Sequence, residues 1–129
     1  MDQQSDELSA LVQQRLDLCA ECLGFFGAVI STMDGLILAS SGKFHGDAPA
    51  ACAAQLLEMG TDSLSVIAPA QTAELLIWTL DQVWYLNKVD DRHLLLAAST
   101  DLFSAGALRM MARQSAQQLA ALLPLLYKN

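Results

Sequence analysis

The sequence of 129 residues predicts one domain of the α/β class, in its α+β form, with the order helix, hairpin, helix, three-stranded meander, helix. Three observations predict this order. Apolar residues recur at helical spacing in three segments, they form short strand-like runs in the segments between, and short polar turns join those runs. Because tight turns join strands in antiparallel fashion, a mostly antiparallel sheet is expected.

The composition indicates a folded protein whose surface is partly covered by a partner. Hydrophobic residues make up 53% of the chain and charged residues only 16%, whereas an ordinary soluble domain carries about 25% charged residues. This balance excludes disorder. The net charge of -7 argues against a nucleic-acid partner, and no apolar run reaches the roughly 18 residues of a membrane span.

The start of the chain and its cysteines predict a cytoplasmic location. Residues 1–7 are polar and acidic, whereas a secretory signal begins with basic and then apolar residues. The three cysteines, Cys19, Cys22 and Cys52, form an odd set, which fits reduced thiols better than a disulfide framework.

Local signals locate the elements of the first half. Ser5 is expected to cap the first helix, Asp34-Gly35 to form a tight hairpin turn, and Asp47 to cap the second helix. Gly60 either ends that helix or only weakens it. The predicted elements are a helix over 5–23, strands over 25–32 and 36–40, a helix from 49 to 59 or about 67, strands over 73–80, 83–89 and 93–99, and a helix from 104.

The second half is predicted from its turns and from Pro124. If Asp81-Gln82 forms a two-residue turn, Thr79 faces Trp84 and Trp78 faces Tyr85. The run over residues 93–99 does not alternate, as expected for a central strand covered on both faces. Pro124 is expected to kink or end the last helix, which leaves residues 124–129 as an apolar tail.

Cys19-Ala-Glu-Cys22 is a CxxC motif with two interpretations. A redox pair prefers the start of a helix, where the thiol pKa is lowered, but this pair lies at the end of the predicted first helix and on its apolar stripe. Buried structural thiols are therefore favoured. A zinc site would need Cys52 and His45 or His93 to converge with them from distant segments, so no metal is predicted.

Ser41-Gly42-Lys43 lies between a strand and a helix, which is the place of a phosphate-binding loop. The motif is incomplete, because Ile37 stands where glycine is required and Phe44 where Ser or Thr is required. His45 is expected to be an exposed loop residue and His93 a solvated strand end. With no catalytic motif in the sequence, no catalytic residue and no cofactor are predicted, and the chain is expected not to be an enzyme.

Several segments together resemble the roadblock/dynein light chain family, including its bacterial members of the MglB type. Residues 26–41, with their glycine-alanine start, Asp-Gly turn and return strand LILASS, are similar to the family's first hairpin. The alanine-rich second helix, the strand HLLLAAS and the segment Ser104-Ala-Gly-Ala-Leu-Arg109 extend the resemblance over about residues 6–123. Ser104 stands where the family usually has asparagine.

The resemblance implies a roadblock/profilin-like fold, with a five-stranded antiparallel sheet, helices one and three on one face and helix two on the other. It also implies a homodimer in which the third strands pair across a two-fold axis and the second helices lie side by side. An unpaired apolar edge strand would otherwise be an aggregation hazard. The interface residues expected on this basis are Ala50, Ala53, Ala54, Leu57, Leu75, Ile77 and Trp78.

The resemblance further implies a non-enzymatic adaptor that binds a small Ras-like GTPase and modulates its GTP hydrolysis or localisation. Two alternatives stay open. One is a small-ligand sensor, which requires an internal pocket, or a scaffold domain of a signalling complex; the other is a redox or metal protein using Cys19 and Cys22. Trp78 and Trp84 are each expected either in the core or as an interface anchor.

Overall fold

The structure, a computed structural model, describes residues 3–127. In this range three α-helices flank one five-stranded sheet in which every neighbouring pair of strands is antiparallel, so the predicted fold class is confirmed. The sheet order is β2-β1-β5-β4-β3. The elements are α1 (Gln3–Leu16), β1 (Phe25–Thr32), β2 (Ile37–Gly42), α2 (Ala48–Ser65), β3 (Glu74–Trp78), β4 (Val83–Lys88), β5 (His93–Ser99) and α3 (Ala105–Leu126).

Two clusters of buried side chains hold the helices on the sheet. On one face, which we call the α1/α3 face, side chains of α1 and α3 such as Leu16 and Leu119 pack on Ile30 and Leu95. The opposite α2 face joins the inner side of α2 to Val29, Leu86 and Leu96 in the sheet. All seven residues of β5 are buried, which confirms the predicted central strand.

The first helix is shorter than predicted at its C-terminal end. It begins at Gln3, so Ser5 does not start it, and it gives way at Asp17–Glu21 to a 3₁₀ turn. This tighter turn brings the Cys19 thiol under α3, where it donates to Ser115 Oγ at 3.4 Å. Gly24, with a φ of 72°, then reverses the chain into β1.

The register of the β3–β4 hairpin differs from the expected one. Trp78 faces Val83 and Ile77 faces Trp84, so the predicted Trp78–Tyr85 pair is wrong. The cause is Thr79, whose backbone N–H donates to Gln82 O at 2.8 Å and whose hydroxyl accepts from the Gln82 N–H at 3.0 Å. These bonds make Leu80 and Asp81 the central residues of the turn.

Two further boundaries differ from the sequence expectation, and a third decides between two expected ends. Strand β2 continues to Gly42, so Ser41 and Gly42 belong to a strand and not to a loop. Helix α2 runs through Gly60 to Ser65, which decides between the two predicted ends. Helix α3 passes Pro124 and ends at Leu126; because Pro124 has no N–H to donate to the Ala120 carbonyl, the helix continues for only two residues beyond it. None of the described helices is long and apolar enough to cross a membrane.

Candidate functional site

Strand β3 is an open edge of the sheet. The Lys88 N–H donates to Ala73 O at 3.0 Å, and the Thr79 N–H donates to Gln82 O. Since hydrogen bonding alternates along an antiparallel strand, the N–H and C=O groups of Glu74, Leu76 and Trp78 point away from β4. These outward groups form what we call the β3 edge.

The other edge of the sheet, β2, is partly covered. Helix α1 lies beside it, and Gln13 Nε2 donates a hydrogen bond to Ser40 O at 2.9 Å. A side chain that satisfies an edge carbonyl discourages a further strand from pairing there. Of the two edge strands, β3 is therefore the one available to pair with another strand.

The side chains of β3 are incompletely covered on both faces. Leu75 and Ile77 are half-buried on the α2 face, and Leu76 is half-buried on the α1/α3 face. Trp78 is 55% exposed, with its indole Nε1 donating to Leu102 O at 3.2 Å. A tryptophan that is oriented by a hydrogen bond and still half in solvent has the character of an interface anchor.

Trp84 has a different environment from Trp78. It is half-buried on the α2 face and stacks on Phe44, with ring centroids 5.5 Å apart. Of the two uses expected for the tryptophans, core packing therefore applies to Trp84.

The predicted interface residues of α2 divide into two groups. Ala50, Ala53 and Leu57 are buried, at 0%, 1% and 4% exposure, beneath their own helix, and Ala54 is half-buried. A second helix beside α2 would therefore meet Ala54 and the outer residues rather than the buried three. The exposed outer residues on this part of α2 are Ala51, Cys52, Gln55, Glu58 and Met59.

An ion pair joins α3 to the β3 edge. Arg109 Nε donates to Glu74 Oε1 at 2.6 Å, and Arg109 Nη2 donates to Glu74 Oε2 at 3.3 Å. This contact lowers the pKa of the Glu74 carboxyl below its usual value. Nearby, burial raises the pKa of Tyr85 to about 12, and the Glu74 carboxylate adds to the effect. Both groups therefore keep their usual charge states at neutral pH.

His93 is not the solvated strand end that was expected, because it is 2% exposed. Its Nδ1 lies 2.8 Å from Asp90 Oδ1 and its Nε2 lies 2.8 Å from the Tyr127 hydroxyl. We call this hydrogen-bonded set of Asp90, His93 and Tyr127 the relay. Sequence reasoning did not predict it, because Tyr127 is 34 residues from His93. Only the spacing of Asp90 and His93 across a turn indicated the first of the two contacts. The relay fastens the end of α3 to the β4–β5 turn.

We expect Tyr127→Phe to lower the free energy of unfolding by about 1 kcal/mol, the usual net value of one hydrogen bond. Phenylalanine keeps the ring that lies 5.7 Å from the His93 ring, so only the hydroxyl is tested. Urea unfolding measures the loss, and hydrogen exchange should show faster opening of the last turn of α3. Unchanged exchange in that turn would contradict the relay.

The contribution of Asp90 to the relay depends on pH. Burial raises its pKa, but hydrogen bonds from the Arg92 N–H and from His93 outweigh burial and hold the pKa below its usual value. A carboxyl with a lowered folded-state pKa stabilises the fold above its unfolded pKa and loses that contribution as the pH falls through the folded pKa. The anchoring of α3 by Asp90 is therefore complete at neutral pH.

The other candidate groups have structural roles. Cys19 and Cys22 are buried and unpaired, and burial raises both thiol pKa values, as expected for structural thiols. Gly42 has a φ of 71°, and a Cβ added there would lie 2.5 Å from Phe26 O in β1. His45 is exposed, as predicted. Within residues 3–127 no three His, Cys, Asp or Glu side chains converge as metal ligands.

The comparison with solved structures shows the fold. A structure described as MglB with a tetrameric arrangement has a TM-score of 0.78 and 15% identity, covering 92% of each chain. A Roadblock/LC7 domain from Streptomyces avermitilis has a TM-score of 0.77 and 14% identity, covering 87% of this chain and 97% of its own.

Profilin II from Acanthamoeba castellanii is a more remote match, with a TM-score of 0.55 and 15% identity over 81% of this chain and 95% of its own. No protein-family model and no curated protein matches the chain in sequence. Identities this low establish the fold alone. The chain has the roadblock fold, in agreement with the resemblance found in its sequence.

Proposed function

We propose that this chain, acting as one domain of 129 residues in the cytoplasm, is a homodimeric adaptor that binds a small Ras-like GTPase. In this role it modulates GTP hydrolysis or localisation of the GTPase and supplies no catalytic residue of its own. The observation that carries the proposal is the roadblock fold over most of the chain together with an unpaired β3 edge. The similar MglB described in a tetrameric arrangement supports self-association.

The hydrogen-bonding pattern of β3 favours one register for the dimer. The outward groups are those of Glu74, Leu76 and Trp78, and a two-fold axis through Leu76 brings all three into the ladder. In that arrangement Leu76 pairs with Leu76 of the partner subunit, and Trp78 lies opposite the partner's Glu74. A shift of two residues in either direction leaves one outward residue unpaired.

The same register gives each predicted side chain of β3 a contact. Leu75 lies opposite the partner's Ile77 on the α2 face, so the half-buried apolar groups of both strands cover one another. Trp78 lies beside the partner's Arg109, which the partner's Glu74 holds at the edge. A guanidinium that lies near an indole ring is attracted to it, so this contact stabilises the dimer. On α2, Ala54 and the outer residues are the contacts available to a neighbouring helix.

The small-ligand sensor has no observation in its favour. Side chains of both helix layers meet the sheet in continuous buried clusters, so the space between layers is filled by the protein itself. The redox alternative is likewise unsupported, because Cys19 and Cys22 are buried and their thiol pKa values are raised. A thiol in that environment is a poor nucleophile.

The proposal is tested with a Ras-like GTPase encoded near this gene. We expect the purified dimer to co-elute with the GTPase in one nucleotide state, GDP or a non-hydrolysable GTP analogue, and to change either the rate of phosphate release or the location of the GTPase. Absence of a nucleotide-dependent complex with any such GTPase would overturn the proposal.

Arginine variants test the absence of a catalytic residue. If the dimer accelerates hydrolysis, Arg92→Ala and Arg113→Ala should each keep the acceleration within about twofold, because a regulator that acts by rearranging its partner inserts no arginine of its own. A variant that still binds the GTPase but loses the acceleration would show that the chain supplies a catalytic arginine.

A further inference from the structure

The outer face of α3 beside the β3 edge carries positive charge and an exposed apolar group. Arg109 and Arg113 lie one turn apart on this face, and Met110 between them is 68% exposed. Glycine at position 106 leaves open space at the start of the helix. The lining of the shallow depression here, of ≈ 410 Å³, consists of Gly106, Arg109, Met110, Arg113, Gln114 and Gln117.

This face has the opposite charge to the chain as a whole. Helix α3 contains two arginines and no acidic residue, whereas the chain has a net charge of -7. Among residues 3–127, Arg109 is paired with Glu74 and Arg113 has no ion-pair partner. A guanidinium held in the open beside an apolar side chain is suited to a carboxylate carried by a peptide.

We infer that the two α3 helices of the dimer flank a basic groove that docks an acidic segment of a partner protein. The inference rests on the proposed β3 pairing, which places the α3 helices of both protomers on the same face of the joined sheet, one on each side of the two-fold axis. The floor of the groove is formed by β3 and its mate, with Glu74, Leu76 and Trp78 from each. Its walls carry Arg109 and Arg113 from both subunits.

The width of the groove fits one polypeptide segment. Helix α3 contacts β4 and β5, so the two α3 axes are separated by about four strand spacings, or roughly 19 Å. Subtracting one helix diameter of about 10 Å leaves roughly 9 Å between the walls. This space admits one extended chain and is too narrow for a helix with its side chains.

An acidic protein segment fits this groove better than a nucleic acid. The overall negative charge of the chain repels a long phosphate backbone at every point beyond the groove. A short acidic segment meets Arg113, which is free of an ion pair among residues 3–127, and Arg109 with its Glu74 partner, and it can place an apolar side chain against Met110 or Trp78. Charge and width therefore favour the same occupant.

The test uses a fluorescein-labelled peptide of twelve residues, mostly glutamate with one central leucine, titrated with the dimer at low salt and followed by anisotropy. We expect saturable binding that weakens as salt rises. Arg113→Glu, which leaves the Arg109–Glu74 pair intact, should weaken binding at least tenfold. The matched control Arg92→Glu makes the same charge change on the β4–β5 turn and should alter affinity less than twofold.

Two further measurements distinguish a failure of the groove inference from a failure of the proposed dimer. A Leu76→Pro variant, which lacks the N–H needed at the centre of the strand pair, should lose peptide affinity at least tenfold when its mass shows a monomer. A monomer that binds the peptide as tightly as the dimer would overturn the groove and leave the dimer standing. A wild-type monomer would instead overturn the proposed dimer.

The remaining outcomes test whether the groove binds the peptide specifically and whether its occupant is a protein segment. An intact dimer that does not bind the peptide overturns the inference. Equal effects of Arg113→Glu and Arg92→Glu would show that binding follows only overall charge and would overturn it as well. Tighter binding of a twelve-nucleotide single-stranded DNA than of the peptide would show that the occupant is a nucleic acid and not a protein segment.

Discussion

A Leu76→Pro variant should elute with the mass of a single chain at concentrations where the unmodified protein is a dimer. The N–H of Leu76 points away from β4, so a proline there removes no hydrogen bond from the hairpin within one chain. Across the two-fold axis, however, it removes both central hydrogen bonds and leaves two carbonyls unpaired. We expect the dimer dissociation constant to rise roughly 100-fold or more.

Leu76→Ala is the matched control, because it removes the same side chain and keeps the N–H. Light scattering after gel filtration should find a dimer for Leu76→Ala and a monomer for Leu76→Pro, while circular dichroism finds both folded. If Leu76→Pro remains a dimer, β3 pairing is not the interface. If both variants are monomeric, the leucine side chain and not the backbone ladder holds the subunits together.

A Gly42→Ala variant should lose about 3 kcal/mol or more of unfolding free energy, a large share of the 5–15 kcal/mol of a typical domain. Gly42 has a φ of 71°, where a side chain costs about 1–2 kcal/mol. In addition, a Cβ at this position would lie 2.5 Å from Phe26 O and 2.8 Å from Gly27 Cα. Both are backbone atoms of β1, so the strands would have to separate.

Gly46→Ala separates the two contributions to that loss. Gly46 also has a φ of 71°, but a Cβ there meets nothing within 4 Å. Its substitution should therefore cost only about 1 kcal/mol, the backbone strain partly offset by a less flexible unfolded chain. Urea unfolding compares the two variants, and equal losses would mean that close approach of β1 and β2 at Gly42 is not stabilising.

The order and type of the elements could be predicted because local signals agree with the final packing. Asp34-Gly35 marks its hairpin, and the unbroken apolar run of β5 predicts a strand covered on both faces. The register of the β3–β4 hairpin could not be obtained in this way. It depends on the hydroxyl of Thr79, and a sequence gives equal support to a turn at residues 80–81 or 81–82.

The candidate site was predicted less completely, because its residues are selected by distant contacts. Ala50, Ala53 and Leu57 recur at the spacing of one helix face, and that face is the one that covers the sheet. The same spacing could have assigned them to the core. Nothing local distinguishes Trp78 from Trp84; Phe44 covers the second, while Leu102 O only orients the first.

The central position of β5 also determines when the domain can fold. Until β5 has been synthesised, the hairpin of β1 and β2 and the hairpin of β3 and β4 have no strand between them, since β5 pairs with both β1 and β4. Each hairpin alone exposes apolar side chains on a two-stranded ribbon that is at best marginally stable. The chain therefore completes its sheet only after about residue 99 has left the ribosome, and the long β1–β5 separation makes that step slow compared with the local hairpins.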